Sequence, residues 1–329
     1  MKRSFVVPII EKVARDLGVE VHIEPWGFVG VLVLKDGRRR YFRGASFDVN
    51  TLGASEVARD KDYAAYFLKQ FGYPVPEGKT FFSKSWAEVV GSDQSAEAAC
   101  MYAETLGWPV IVKPNSRSQG KGVAKAKNAE ELTQAIEEIE AYENVYLVQK
   151  VVPGRDYRIV VLDGEVISAY ERKPLSVVGD GKMNVQELLI EKQKHFIQSG
   201  RDTTVPMEDF RIHNTLAGQG LSMESVLEKE RVVELLPNAN LSSGGDAVDV
   251  TDILHPAWHT LAAKIAVDMN LRYIGLDIMT EESLAEAPGN YTVLEINSAA
   301  GLDNYATLGD VQRARVEAMY KKVVEAMMK

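Results

Sequence analysis

Apolar residues recur at helical spacing in some stretches of the chain and at strand spacing in others, and the two spacings predict most of its elements. The opening reads as a helix over 8–17 followed by an alternating strand over 19–23. Segments 28–34 and 38–42 read as a hairpin closed by a two-residue Asp36-Gly37 turn. Val57, Tyr63, Ala64, Phe67 and Leu68 predict one helix over 55–71, ended by the Gly- and Pro-rich turn 72–78. A helix over 96–106, a buried strand over 109–113, a glycine-bearing loop over 115–122 and a short strand over 123–127 come next. Asn128, with Glu131 three residues on, predicts a capping box opening a helix that runs to 142.

Segment 145–152 reads as an apolar strand, and 158–162 with 165–170 as a second hairpin around Asp163-Gly164. The last third carries a helix over 256–269, strands over 272–279 and 291–296, and a terminal helix over 311–328. Mixed strands and helices, joined by hairpins without strict β-α-β alternation, predict an α+β fold. Boundaries are expected near residue 55 and near 72–80. They divide the chain into a small N-terminal α/β domain over 1–55 and a larger one over 56–329, with a small inserted lobe over about 85–152.

Composition narrows the functional classes. Apolar residues make up 46% and charged residues 26%, ordinary globular values that exclude a largely disordered chain. The 38 Lys and Arg against 47 Asp and Glu give a net charge of -9, which disfavours sequence-independent binding to nucleic acid or to an anionic membrane. Cys100 is the only cysteine, so the chain forms no disulfide within itself and no cysteine-rich zinc site. Pro8 and the charges from Glu11 onward interrupt the apolar run at the start, and no apolar stretch reaches the ~18 residues of a membrane span. The expectation is a soluble, cytoplasmic protein. The five histidines show no His-Glu-x-x-His pattern, and Gly-x-Ser-x-Gly is absent.

Four local patterns carry candidate chemistry. A strand delivers Lys113 into a loop holding Gly120 and Gly122, where glycines let backbone N–H groups approach a phosphate and the lysine supplies charge. The plain alternative is a surface lysine beside a flexible loop. Asp277 lies on one apolar strand and Glu295 and Asn297 on another, where alternation points the last two the same way. Together they form an all-oxygen set suited to Mg²⁺ beside phosphates; otherwise each acid pairs with a nearby base. The run from Gln149 through Lys150, Val152 and Asp156 could cover a base with its backbone edge and offer a carboxylate to ribose, or be an ordinary hairpin end. The small polar residues and paired glycines of 238–245, with Asn240 among them, suit a loop closing over an anion, or a surface loop.

In order along the chain, Lys61, Lys113, the glycine loop, Asp156, Arg172, the Asn240 loop, Asp277, Glu295 and Asn297 resemble the ATP-grasp superfamily. The likeness is to the ATP-grasp module of cyanophycin synthetases, related to D-alanine–D-alanine ligases and glutathione synthetases, and it covers about 55–305. It implies two α+β lobes clamping ATP behind the small N-terminal domain. Lys61 and Lys113 would hold the phosphates, and the Gly120/Gly122 loop would close over them. Gln149, Lys150 and Val152 would line the adenine site, and Asp156 would bind ribose. Asp277, Glu295 and Asn297 would hold two Mg²⁺, while Arg158, Arg172 and Asn240 would act on the transferred phosphoryl group and acyl-phosphate.

The implied reaction joins the carboxylate of an amino acid or short peptide to an amine through an acyl-phosphate, releasing ADP and phosphate. Gln149, Leu236-Pro237 and Ala299-Ala300 depart from the family pattern, and no Mur-ligase-like module follows, so one stand-alone ligase is expected and not a two-site polymerase. A homodimer is a family-level expectation. The alternatives are a phosphotransferase on the same fold, for which the only dense basic run is Arg38-Arg39-Arg40, and a non-catalytic nucleotide-binding module.

Overall fold

The computed structural model describes residues 4–118 and 120–329, so the opening residues 1–3 and Gln119 lie outside the described residues. The chain begins with α1 (Val6–Asp16), whose Val6, Ile10 and Val13 form one buried stripe. Next come β1 (Glu20–Ile23), β2 (Val29–Val33), β3 (Arg39–Arg43) and β4 (Ser46–Phe47), an antiparallel sheet in chain order. The β2–β3 turn departs from the expected two-residue form. Leu34 N–H donates to Arg38 O and Gly37 N–H to Leu34 O, so the loop holds three residues, with Gly37 at φ +84. The 38–40 run is not a free basic patch: Arg38 donates to the carbonyls of Met328 and Lys329, and Arg40 to that of Met327.

The helix expected over 55–71 is two helices, α2 (Leu52–Arg59) and α3 (Lys61–Gln70). Asp60 between them is extended because tertiary bonds outcompete the helical ladder there. Ser116 Oγ donates to its carboxylate, Lys61 N–H donates to Asn115 O, and Asp62 exchanges two hydrogen bonds with the Asn115 side chain.

The small lobe comprises β5 (Gly78–Phe82), α4 (Lys84–Val90), α5 (Ala96–Leu106), β6 (Val110–Pro114), β7 (Ala124–Ala126), α6 (Ala129–Glu140) and β8 (Val145–Lys150). Its antiparallel sheet, in the order β5-β8-β6-β7, packs Val110, Val112, Tyr146 and Val148 against Ala103, Leu132 and Ile136 of α5 and α6. Strand β5 was not anticipated, since Gly78-Lys79-Thr80 lacks strand alternation. The capping box at α6 is half formed. Asn128 Oδ1 accepts from Glu131 N–H, but Glu131 Oε2 accepts from Lys127 N–H and not from Asn128.

Two long strands, β9 (Arg155–Leu162) and β10 (Glu165–Lys173), meet at Asp163-Gly164, both residues at positive φ as a two-residue hairpin requires. Residues 174–235 hold β11 (Ser176–Val178), α7 (Val185–Gln198), α8 (Phe210–Ala217) and β12 (Val232–Glu234), around a small core of Leu175, Leu189, Ile212 and Leu235. After β13 (Asp246–Asp249) and α9 (Pro256–Asp268) come β14 (Tyr273–Thr280) and β15 (Tyr291–Asn297). They complete an antiparallel central sheet in the order β13-β10-β9-β14-β15. Helix α9 covers one face with the fully buried Trp258, whose truncation to Ala would cost about 3–5 kcal/mol. The chain closes with α10 (Asp303–Ala306) and α11 (Asp310–Met328), and α11 shares a core with α1 and with part of the other face. No helix among the described residues is long and apolar enough to cross a membrane.

Candidate active site

Strand alternation builds the site from one face of the central sheet. On β9, Tyr157, Ile159 and Val161 pack toward α9, so Asp156, Arg158, Val160 and Leu162 share the opposite face. Val160 and Leu162 join the core with α11, whereas Asp156 and Arg158 sit beyond its edge. The same division runs along β14, from the buried Tyr273 to Asp277. Asp277 pairs in register with Arg158 on one side and Glu295 on the other, and Arg172 pairs with Asp156. A bulge lets Ile278 pair with Val293, which leaves Leu294 as the extra residue beside Glu295. Gly275 makes room in this row, since a Cβ there would stand 3.5 Å from Arg158 Cδ and 2.9 Å from Ala300 Cβ.

The charges alternate across the sheet. Lys61 Nζ lies 3.8 Å from Glu295 Oε2, and Arg158 Nη2 lies 3.9 Å from Glu295 Oε1. Arg158 grips Asp277 through two hydrogen bonds of 2.6 and 2.7 Å. Arg172 Nη2 reaches Asp277 Oδ2 at 2.9 Å and Asp156 Oδ1 at 2.7 Å. Burial works against the Arg158 and Arg172 charges, but Asp277 and Asp156 outweigh it and hold both protonated. Burial likewise pushes the Glu295 carboxyl up, while Lys61 and Lys113 overcome it and hold Glu295 well below the usual carboxylate range. Lys113 enters from β6 of the small lobe and is buried, which lowers its ammonium to about 8 against the attraction of Glu295.

A cleft of about 570 Å³ lies between the two sheets. It is lined by Lys61, Lys113, Gly120, Gln149, Lys150, Val152, Asp156, Arg172, Asn240, Asp277 and Glu295, which brings most of the expected site residues together. Three of the expected residues do not line it. Arg158 lies under Asp277, Asn297 Nδ2 is bonded to Glu295 Oε1, and Gly122 faces a second cavity behind the glycine loop. Nine Lys and Arg against five Asp and Glu line the cleft, so a cationic lining sits in a chain of net charge -9. Ile111, Val151, Met279 and Leu294 give it an apolar wall.

Gly120 has φ +68, and a Cβ there would fall 2.1 Å from Asn240 Nδ2 and 2.4 Å from Asn238 Nδ2. The glycine loop of one lobe therefore rests directly on the 238–245 loop of the other. Sequence reading missed the Arg155–Glu171 ion pair and Lys173 at the rim of the cleft; both arginine and acid sit at the end of a strand pair whose register only the fold supplies. It also missed Arg201, and it expected Arg211 in a substrate-choosing loop over 211–220 where the structure has α8; the two arginines bond to the two loops from 199–211. Among the described residues no three His, Cys, Asp or Glu gather as a metal site. Glu295, Asp277 and the Asn297 amide instead make an oxygen set of two acids and one amide, a donor chemistry that fits Mg²⁺.

Two antiparallel α+β lobes enclosing a cationic cleft, with carboxylates in register on the central sheet, define the ATP-grasp fold. Residues 67–203 match the family described as D-ala D-ala ligase C-terminus. It is 32% identical over 242 residues to the bifunctional glutathione biosynthesis protein of Streptococcus mutans, covering 70% of this chain and 30% of that protein. It is 30% identical over 262 residues to the cyanophycin synthetase of Crocosphaera subtropica, covering 75% of this chain and 28% of that protein. The chain thus spans about three tenths of the length of the curated relatives it matches. Among solved structures, a bifunctional glutathione synthetase from Pasteurella multocida superposes with a TM-score of 0.60 at 22% identity, over 98% of this chain and 44% of that one. A D-alanine–D-alanine ligase from Bacillus anthracis gives 0.51 at 13% identity, over 85% and 69%.

Proposed function

We propose that the protein is an ATP- and Mg²⁺-dependent ligase that joins the carboxylate of an amino acid or short peptide to an amine. The observation that carries this reading is the convergence of Lys61 and Lys113 on Glu295, in register with Asp277, at the floor of a cleft between two lobes. The relatives named glutathione biosynthesis protein and cyanophycin synthetase support the ligase class. The apolar wall at Val151 and Met279 suits a base, and Asp156 lies where a ribose hydroxyl could donate to it.

The substrate carboxylate attacks the γ-phosphorus, ADP leaves, and the acyl-phosphate so formed is opened by the amine with loss of phosphate. Lys61 and Lys113 offset the phosphate charge, the 120–123 loop covers it, and Arg172 supplies guanidinium donors beside the reacting oxygens, while Arg158 holds Asp277 from beneath. Glu295, Asp277 and Asn297 would hold Mg²⁺, with two ions as the reading carried by the resemblance. When bound, the metal neutralises phosphate oxygens and makes phosphorus more electrophilic. Residues 1–55 are read as a small N-terminal domain and 56–329 as the ATP-grasp domain, the former sharing its core with α11.

The test is mass spectrometry of products formed from ATP, Mg²⁺ and pooled amino acids and short peptides. A new amide with ADP and phosphate is the expected outcome. A stable phosphorylated product would assign a phosphotransferase, and tight ATP binding without turnover a non-catalytic module; either would overturn the ligase.

A further inference from the structure

Segment 199–211, which leads from α7 into the first turn of α8, touches both loops that meet over the cleft. Arg201, only 7% exposed, donates through Nη2 to Leu241 O and to Gly245 O, the latter at 2.6 Å. Both carbonyls belong to the 238–245 loop. Ten residues later, Arg211 donates through Nη1 to Gly120 O at 3.1 Å and to Val123 O at 2.8 Å, the carbonyls that bracket the glycine loop. Its Nε and Nη2 are held by the Asp209 carboxylate at 2.6 to 3.1 Å, so the guanidinium cannot swing away without breaking that pair. Both side chains are largely buried, at 12% exposure for Arg211 and 14% for Asp209.

Neither arginine lines the cleft. A guanidinium is planar and carries donors in a fixed fork, so it ties two carbonyls and one carboxylate into one rigid unit in a way a lysine cannot. The glycine loop needs such a tie because Gly120 and Gly122, both at positive φ, have wide backbone freedom. Its own backbone bonds are long, Lys121 N–H to Ser118 O at 3.4 Å and Val123 N–H to Gly120 O at 3.3 Å.

From this geometry we infer that Arg211 is a positioning residue. It holds the 120–123 loop in the conformation that covers the phosphate end of the cleft, and 199–211 couples that loop to the 238–245 loop through Arg201. The consequence for nucleotide binding rests on the ligase reading; the coupling of the loops does not.

Two measurements on the full chain separate these claims. Hydrogen exchange in the nucleotide-free protein should show amides of 120–126 exchanging about tenfold faster in Arg211→Gln, the loss expected for one charge-assisted hydrogen bond. Amides of 241–245 should speed up as well, with α9 unchanged. Asp209→Asn should move the same peptides by less, and Arg211→Lys should restore part of the protection. Binding of the non-hydrolysable analogue AMPPNP with Mg²⁺ should weaken about tenfold in Arg211→Gln, with partial rescue by lysine. Unchanged exchange over 120–126 would overturn the positioning role, and faster exchange there alone would overturn the coupling. If Arg211→Gln does not fold, Asp209→Asn and Arg211→Lys carry the same readouts. Wild-type protein that fails to bind AMPPNP would overturn the nucleotide reading and leave the exchange result to decide the coupling.

Discussion

Asp277 is the carboxylate whose removal should cost the fold most. Its side chain is 2% exposed, and it accepts from Arg158 at 2.6 and 2.7 Å and from Arg172 at 2.9 Å, the latter side chain being 5% exposed. Asp277→Asn conserves shape but takes a carboxylate from two guanidinium groups. Arg172 keeps Asp156, whereas Arg158 keeps only Glu295 at 3.9 Å. Breaking a buried pair from one side typically costs about 3–5 kcal/mol, because the remaining charge stays desolvated. Urea unfolding followed by circular dichroism should therefore show Asp277→Asn destabilised by about that amount. Exchanging Arg158 for Met in the same chain should recover about half or more of the loss, since no unpaired charge is then left under the sheet. A loss below about 1 kcal/mol in the single variant, or no recovery in the double, would refute the view that the row of charges is tightly coupled.

Further outcomes distinguish the remaining residues. Glu295→Gln should lower turnover by two orders of magnitude or so while keeping the native circular dichroism spectrum, with a lower unfolding midpoint because Lys61 and Lys113 lose their shared carboxylate; near-normal turnover would remove it from the metal set. Burial lowers the Lys113 ammonium to about 8, so its protonated share falls from about nine tenths at pH 7 to about one tenth at pH 9. Calorimetric affinity for metal-free ADP should weaken up to about tenfold over that range, and Lys113→Met should flatten the profile; an unaltered slope in the variant would assign the titration elsewhere. Gly120→Ala meets Asn240 Nδ2 at 2.1 Å and a left-handed backbone strain of about 1–2 kcal/mol. It should displace the loop and weaken AMPPNP binding in a titration; wild-type affinity would show that the loop adapts freely.

The parts legible in the sequence were those where one pattern had one cause. Helix α5 spans the residues expected of it, because its apolar spacing and its Ser95 and Gly107 ends agree. Asp277 and Glu295 stood out because acids interrupt otherwise apolar strands, and the register places them opposite each other. Asp60 did not stand out, because nothing local announces that Ser116 and Asn115, more than fifty residues on, take its helix apart. Within 174–235 the sequence reading held only a substrate-choosing loop near 211–220, where the structure has α8; β11, β12 and α8 are too short for periodicity to speak, but the fourteen residues of α7 behind the Asn184–Glu187 capping box were legible and overlooked. Arg201 and Arg211 carry no motif at all; their roles exist only once the loops they grip have been brought together.

The partnership of α1 and β2 with α11 has a consequence for biosynthesis. Val6, Ile10 and Leu32 leave the ribosome some three hundred residues ahead of the side chains that bury them, among them Val316, Tyr320 and Val324. At about 5–20 residues per second, that apolar surface waits many seconds for its cover. During that interval the nascent chain is a natural client for chaperones, and this core closes like a clasp only after α11 has been translated.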